Sequence, residues 1–70
     1  MIPFQNIGLV GRPGHDGVVD SLERILDYLT RRGVNSVLDF QTAGLVGNRG
    51  DSHCESDELA NKSDLVIVVG

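Results

Sequence analysis

Apolar residues along the chain fall into short segments whose patterning predicts strands. Asn6–Gly11 is a short apolar run between polar and glycine-rich flanks, which predicts a buried first strand. Gly8 within it lowers the strand propensity and indicates close backbone packing. Leu65–Val69 is continuously apolar and mostly β-branched, which is typical of a strand buried on both faces of a parallel sheet.

The clearest periodic signal predicts a helix from about Gly17 to Arg32. Its apolar positions recur at steps of three and four and therefore share one face, namely Val18, Val19, Leu22, Ile25, Leu26 and Leu29. Asp16 is the predicted N-cap, and Gly33 is the predicted left-handed stop. Two acid-before-base pairs with i,i+4 spacing support the helix, Asp20 with Arg24 and Asp27 with Arg31.

The middle of the chain carries weaker signals. Val34–Phe40 is predicted as a second strand, and the glycine-containing stretch Gln41–Gly50 as mainly loop. Ser52 and Glu55 match a capping box, which predicts a short helix from Ser52 to about Ser63. The three aromatic residues, Phe4, Tyr28 and Phe40, are interpreted as packing residues.

Strands and helices thus alternate, which predicts an α/β fold, the parallel βαβαβ start of an open Rossmann-like or flavodoxin-like sheet. The most apolar segment is the last strand, and only Gly70 follows it. Such a strand requires neighbours and a covering helix, so we expect residues 1–70 to be the first part of a longer protein. The alternative is a free-standing small domain.

Composition and charge narrow the classes of partner. The chain is 40% hydrophobic, carries a net charge of −4 and therefore lacks the basic character of a nucleic-acid binder. Its longest purely apolar run is far shorter than the roughly 20 residues of a membrane span. No export signal is visible, and a single cysteine, Cys54, cannot form an internal disulfide. A cytoplasmic location without nucleic-acid or membrane partners is predicted.

Candidate chemistry lies where the predicted parallel strands end. Ligands of open parallel sheets bind beyond the carboxyl ends of the strands, and here Gly11 and Gly70 allow close backbone approach to a phosphate. Alternatively, Gly11, Gly14 and Gly17 merely make the turn. Arg12 offers a guanidinium that could pair with a phosphate, or it is an ordinary surface arginine.

The standard nucleotide and catalytic motifs are missing. The glycines do not follow the GxGxxG pattern, and no GxxxxGK[ST] occurs. Without that pattern, a solvated strand end is favoured for Asp39 over a ribose contact. His15, His53 and Cys54 lack zinc-ligand spacing, and the adjacent His53 and Cys54 are unsuited to be a nucleophile pair.

Three segments resemble bacterial NAD kinases, also called inorganic polyphosphate/ATP-NAD kinases. They are Asn6–Pro13, the helix up to Arg32-Gly33, and Ser63–Gly70. In that family the apolar third strand runs into a Gly-Gly-Asp-Gly motif, and Gly70 aligns with its first glycine. The resemblance implies that the remainder of the α/β domain and a carboxyl-terminal β-rich domain are absent from this sequence.

The resemblance also implies a reaction. NAD kinases transfer a phosphoryl group from ATP or polyphosphate, with a divalent cation such as Mg²⁺, to the 2′-hydroxyl of the adenosine ribose of NAD. The proton-accepting aspartate of the motif would lie two residues beyond Gly70, so no catalytic residue is expected within these 70 residues. NAD is the implied substrate, a homo-oligomer is the implied assembly, and Gly70, Gly11 and Arg12 are the predicted ligand-binding residues.

Two alternatives remain at this stage. Diacylglycerol-kinase-like and phosphofructokinase-like enzymes share the sheet and the glycine motif but phosphorylate other acceptors. A non-enzymatic flavodoxin-like binding module would share the βαβαβ start without a phosphate-donor site.

Overall fold

The structure is a computed structural model that describes residues 4–14 and 17–70. In chain order its elements are β1 (Asn6–Gly11), α1 (Val18–Arg32), β2 (Asn35–Asp39), α2 (Phe40–Leu45), β3 (Ser52–Cys54), a 3-10 helix (Ser56–Glu58), α3 (Leu59–Lys62) and β4 (Leu65–Val69). The predicted α/β class is confirmed, and the bounds predicted for the first and last strands match the observed ones. None of the helices among the described residues is long and apolar enough to cross a membrane.

The strands of the described residues form one four-stranded parallel sheet in the order β3-β2-β1-β4. Because every pair is parallel, the carboxyl ends of the strands lie along the same edge. The chain steps outward from β1 to β2 and β3, and then returns to add β4 on the other side of β1. The strand order therefore reverses between β1 and β4, which is where open parallel sheets bind ligands.

The core is divided between the two faces of the sheet. The larger cluster joins the apolar face of α1 to α2 and to the inward side chains of the strands, and contains Ile7, Leu9, Val18, Leu22, Leu26, Leu29, Val34, Leu38, Ala43 and Val46. A smaller cluster packs Leu59 of α3 against Val37 and Cys54. Phe4 packs against the larger cluster, as predicted. Tyr28 is 45% exposed and has the Arg32 guanidinium over its ring, so its interpretation as a packing residue was wrong.

Helix α1 follows its sequence pattern closely. Gly33 adopts a left-handed φ of 70° and donates its amide to the end of the helix, as predicted. The N-cap position is Gly17, while Asp16, the predicted cap, lies outside the described residues. Of the predicted apolar face, Val18, Leu22, Leu26 and Leu29 are buried, Ile25 is half-buried, and Val19 is exposed.

Only one of the two predicted ion pairs on α1 forms. Arg24 contacts Asp20 at 3.2 Å, as the spacing predicts. Asp27 pairs instead with Arg49, from the segment before β3, at 2.7 Å. A tertiary neighbour thus replaces Arg31, the partner that the helical spacing predicted.

Two predictions for the middle of the chain were wrong. The second strand ends at Asp39 and not at Phe40, and Phe40–Leu45 forms α2, although Gln41–Gly50 was predicted to be mainly loop. Phe40 is 56% exposed, so it is not a core residue among the described ones. Helix α2 forms because Asp39 accepts a hydrogen bond from the Thr42 amide, and because Thr42 and Ala43 are buried against the sheet.

The predicted capping box at Ser52 was also wrong. Ser52–Cys54 is the edge strand β3, which pairs in parallel with Val37–Asp39 of β2. The preceding Asp51 anchors it, because its carboxylate accepts from the Ser36 amide at 2.8 Å and its own amide donates to the Ser36 carbonyl at 3.0 Å. The following helical segment begins at Ser56.

Strand β4 is less buried than its sequence predicts. It lies at the edge of the sheet, and Leu65, Val66 and Val68 are exposed, Val68 by 60%. Only Ile67 and Val69 pack against the larger core cluster. Burial of β4 on both faces was predicted together with neighbours beyond these residues, so it stays a prediction for the complete protein.

Gly8 is required by close packing, as predicted. A β-carbon built at Gly8 would lie 2.5 Å from the Ser63 hydroxyl oxygen and 3.2 Å from Cγ of Leu59. The Ser63 hydroxyl is itself buried, with no hydrogen-bond partner in the described part of the chain. The segment from α3 into β4 consequently lies directly over the backbone of β1.

Replacing Gly8 by alanine is expected to lower the free energy of unfolding by about 1–3 kcal/mol, because the added methyl overpacks this contact. The measurement is urea unfolding followed by circular dichroism. Ser63→Ala removes the clashing oxygen and an unpaired buried hydroxyl, so alone it should be neutral and in combination it should recover most of the loss. Strictly additive effects of the two substitutions on the free energy of unfolding would contradict a contact between Gly8 and Ser63.

Candidate functional site

The three sequence-predicted binding residues lie together at the point where the strand order reverses. Gly11 pairs with Val69 in the β1–β4 register, and the Arg12 amide donates to the Val69 carbonyl at 3.0 Å. A β-carbon built at Gly70 would lie 2.8 Å from Cβ of Arg12 and 3.1 Å from its Cδ. The aliphatic stem of Arg12 thus runs beside Gly70.

Gly11 packs closely against α1 and makes a buried hydrogen bond at this edge of the sheet. A β-carbon built there would lie 2.6 Å from Cδ1 of Leu22, so α1 approaches the end of β1 closely. The Gly11 amide donates to Oγ1 of Thr42 at 3.0 Å in a buried position. The Gly11 amide is therefore already hydrogen-bonded within the protein. A direct contact between Gly11 and a phosphate stays a prediction.

Two of the glycines between Arg12 and α1 have left-handed backbone conformations. Gly14 and Gly17 have φ values of 86° and 84°, which side chains rarely adopt. Apart from each glycine's chain neighbours, no atom of the described residues lies within 4 Å of a β-carbon built at either position, so their backbone conformation, not crowding, favours glycine. The turn-forming interpretation therefore applies to these two positions.

Arg12 is exposed and directly follows the last residue of β1. The Arg12 amide is hydrogen-bonded to β4, and its side chain runs beside Gly70 as far as Cδ, so the side chain starts at the carboxyl edge of the sheet where β1 and β4 end. A planar guanidinium at such an edge has the donor geometry to hold a phosphate in bidentate fashion.

Asp39 is a buried helix cap, so the favoured interpretation as a solvated strand end was wrong. It is only 4% exposed, and its two carboxylate oxygens accept from the Thr42 amide at 2.9 Å and from the Ser56 hydroxyl at 2.8 Å. Burial raises the pKa of Asp39, but the combined hydrogen bonds from Thr42 and Ser56 outweigh it and hold the pKa below its ordinary value. Both oxygens are therefore occupied by protein donors.

Thr42 and Ser56 are the polar residues near the site that sequence analysis missed. For Thr42 a signal existed, because an aspartate that ends an apolar strand is a good N-cap for a helix whose third residue donates the capped amide. For Ser56 no local signal pointed to Asp39, because the two are 17 residues apart.

His53 and Cys54 do not form a reactive pair. Burial raises the pKa of the Cys54 thiol, which favours the unreactive protonated form. His53 directs Nε2 to the Arg49 carbonyl at 2.9 Å. His15 lies outside the described residues, and no three His, Cys, Asp or Glu side chains in the described ranges are grouped to hold a metal ion.

Comparison with known proteins agrees with the resemblance seen in the sequence. The chain is 40% identical over 70 residues to the NAD kinase of Chromohalobacter salexigens, covering all of this chain and 24% of that protein. It is 34% identical to the NAD kinase of Aeromonas salmonicida, with 97% of this chain and 23% of that protein aligned. It is also 34% identical to the NAD kinase of Pseudomonas aeruginosa, with 100% of this chain and 24% of that protein aligned. The chain is homologous to the NAD kinases.

The aligned region includes nearly all of this chain but only a small part of each relative. The chain spans about a quarter of the length of the curated NAD kinases that it matches, which is 23–24% for the three named above. No family model matches the chain. The β1–α1 turn, α1 and β4 all fall within the region shared with NAD kinases, because the matches cover the whole chain or nearly so.

Proposed function

We propose that the chain is the first part of an NAD kinase, and that the complete protein phosphorylates the 2′-hydroxyl of the adenosine ribose of NAD to form NADP. Homology to NAD kinases along the entire chain carries this proposal. The sheet order supports it, since Gly11, Arg12 and Gly70 meet where an open parallel sheet binds phosphorylated ligands.

Each predicted residue has a distinct part in this proposal. Arg12 would hold a phosphate of a bound nucleotide through paired N–H donors. Gly70 would allow the backbone beyond β4 to approach that phosphate, because a side chain there would collide with Arg12. Gly11 would set the path of the turn. The proton acceptor for the ribose hydroxyl is expected two residues after Gly70.

The proposal includes a phosphoryl donor, either ATP or polyphosphate, and a divalent cation that would neutralise the transferring phosphate. The described residues do not fit such a cation. Asp39 is the carboxylate at the end of β2, and its oxygens already accept from Thr42 and Ser56. We assign no cation ligand to residues 4–14 and 17–70.

Homology favours the proposed activity over the two alternatives. A lipid or sugar kinase of the Gly-Gly-Asp-Gly type and a flavodoxin-like module are both compatible with the sheet order. The relatives that cover the chain at 34–40% identity are named as NAD kinases. The cytoplasmic location and the homo-oligomeric state stay predictions.

The complete protein is expected to convert NAD to NADP with ATP or polyphosphate, whereas the 70-residue chain alone is expected to form none. The reason is that the expected proton acceptor lies outside these residues. NADP is measured with an NADP-specific dehydrogenase, and diacylglycerol and fructose 6-phosphate serve as rival acceptors. Phosphorylation of a rival acceptor alone, or NADP formation by the 70 residues, would contradict the proposal.

A further inference from the structure

The end of β1 is held by a side chain from a different element. Thr42, in α2, is completely buried at 0% exposure, and its Oγ1 accepts the hydrogen bond of the Gly11 amide. Strand β2 pairs with β1 only as far as Leu9 opposite Leu38. Gly11 lies two residues beyond that last pair, so the Thr42 hydroxyl supplies an acceptor where strand pairing with β2 has ended.

Thr42 is itself fixed by the polar groups around it. Its amide donates to Oδ1 of Asp39, and Oδ2 of Asp39 accepts from the Ser56 hydroxyl. These three hydrogen bonds connect the ends of β1 and β2 to the starts of α2 and the 3-10 helix. The Thr42 hydroxyl therefore occupies a defined position from which it holds Gly11.

The residue that depends most directly on Gly11 is its neighbour Arg12. Arg12 follows Gly11 immediately, and its amide is bonded on the opposite side to the Val69 carbonyl. The Gly11–Arg12 segment is thus held between Thr42 on the β2 side and β4 on the other. Removing the Thr42 acceptor would leave a buried amide unpaired, and the turn would shift to reach another acceptor or water.

We propose that Thr42 is a positioning residue, whose hydroxyl sets the placement of the Arg12 guanidinium for a nucleotide phosphate by holding the Gly11 amide. This inference rests on the proposed function, because it assumes that Arg12 contacts a phosphate. It assigns to Thr42 no contact with substrate, and it assigns the effect on binding to Arg12 alone.

The test uses steady-state kinetics of the complete protein that contains this chain, with NAD and ATP varied separately. Thr42→Val keeps the side-chain shape and removes the acceptor, Thr42→Ser keeps the hydroxyl, and Arg12→Ala removes the guanidinium. The exposed Thr30→Val on α1 is the matched control. Circular dichroism establishes whether each variant is folded.

We expect Thr42→Val to raise the KM by about tenfold for the same substrate that Arg12→Ala affects, with kcat nearly unchanged. Thr42→Ser and Thr30→Val should retain the original KM. In the Arg12→Ala background, Thr42→Val should cause no further rise, because the group that it positions is gone.

Several results would overturn the inference. These are an unchanged KM in Thr42→Val, a loss confined to kcat, effects of Thr42→Val and Arg12→Ala that multiply, or a Thr42→Val protein that does not fold. The last would show that the hydroxyl serves the fold as a whole. If the unmodified complete protein makes no NADP, the proposed function itself fails, which is a different result from a failure of the variants.

Discussion

Replacing Leu22 by alanine is expected to lower the free energy of unfolding by about 3–4 kcal/mol, the largest loss of stability among the substitutions considered. Leu22 is 0% exposed, lies at the centre of the apolar face of α1, and packs against the backbone of Gly11. Truncation removes its contacts and leaves a cavity between α1 and the sheet. Urea unfolding followed by circular dichroism measures the loss.

Val19 provides the matched control on the same helix. It is 41% exposed, so Val19→Ala removes little buried surface and should change the free energy of unfolding by less than about 0.5 kcal/mol. An equal loss in the two variants would show that α1 does not pack on the sheet through Leu22.

The same cavity makes the contact with Gly11 testable. Gly11→Ala alone should be destabilising, because its methyl would lie 2.6 Å from Cδ1 of Leu22. In the Leu22→Ala background that methyl enters the cavity, so the cost of Gly11→Ala should largely vanish. Additive losses would place Leu22 away from the end of β1.

Replacing Asp39 by alanine is expected to lower the free energy of unfolding by about 2–3 kcal/mol at neutral pH. The variant loses the cap of α2 and leaves the Ser56 hydroxyl and the Thr42 amide without their acceptor. Urea unfolding at pH 7 measures the loss. A change in the free energy of unfolding below about 0.5 kcal/mol would contradict a buried carboxylate that accepts two hydrogen bonds.

The contribution of Asp39 to the free energy of unfolding should also depend on pH. Burial raises its pKa, but the hydrogen bonds from Thr42 and Ser56 hold the folded-state pKa below the unfolded value of about 3.9. The charged carboxylate therefore stabilises the fold fully above that value, and the benefit disappears as the pH falls through the folded-state pKa.

The comparison of the unmodified chain with Asp39→Asn isolates this effect, since asparagine retains an oxygen acceptor and does not titrate. The difference in unfolding free energy should be constant from about pH 5 to 7 and should shrink as the pH falls toward about 3. Glu23→Gln, at a half-buried position of α1, serves as the control. A difference that grows on acidification would contradict a lowered pKa.

Local patterns predicted β1, α1 and β4 because each element is long enough, or apolar enough, to be specified by its own residues. The left-handed stop at Gly33 is a property of one residue and its neighbours, so it too was predictable. The edge proposed to bind a ligand followed from the order of elements, since the carboxyl ends of parallel strands share one edge. The sequence therefore predicted that Gly11, Arg12 and Gly70 lie near one another, and their binding of a phosphate stays a prediction.

The middle of the chain could not be predicted in the same way. Ser52–Cys54 carries a capping-box pattern, but pairing with β2 satisfies the backbone as a strand. Helix α2 lacks a strong periodic face of its own and depends on the burial of Thr42 and Ala43 against the sheet. In both segments the tertiary contacts outweigh local preferences that are worth only tenths of a kcal/mol per residue.

By itself, the sequence determined the α/β class, the bounds of the first and last strands, the main helix and the relationship to NAD kinases. Those properties arise from periodicity and from residue order, which are present in the chain before it folds. Only the tertiary structure decided that Asp39 is buried, that Thr42 holds Gly11, and that β4 lies beside β1 at an edge. Each of these depends on contacts between distant segments, which no local pattern encodes.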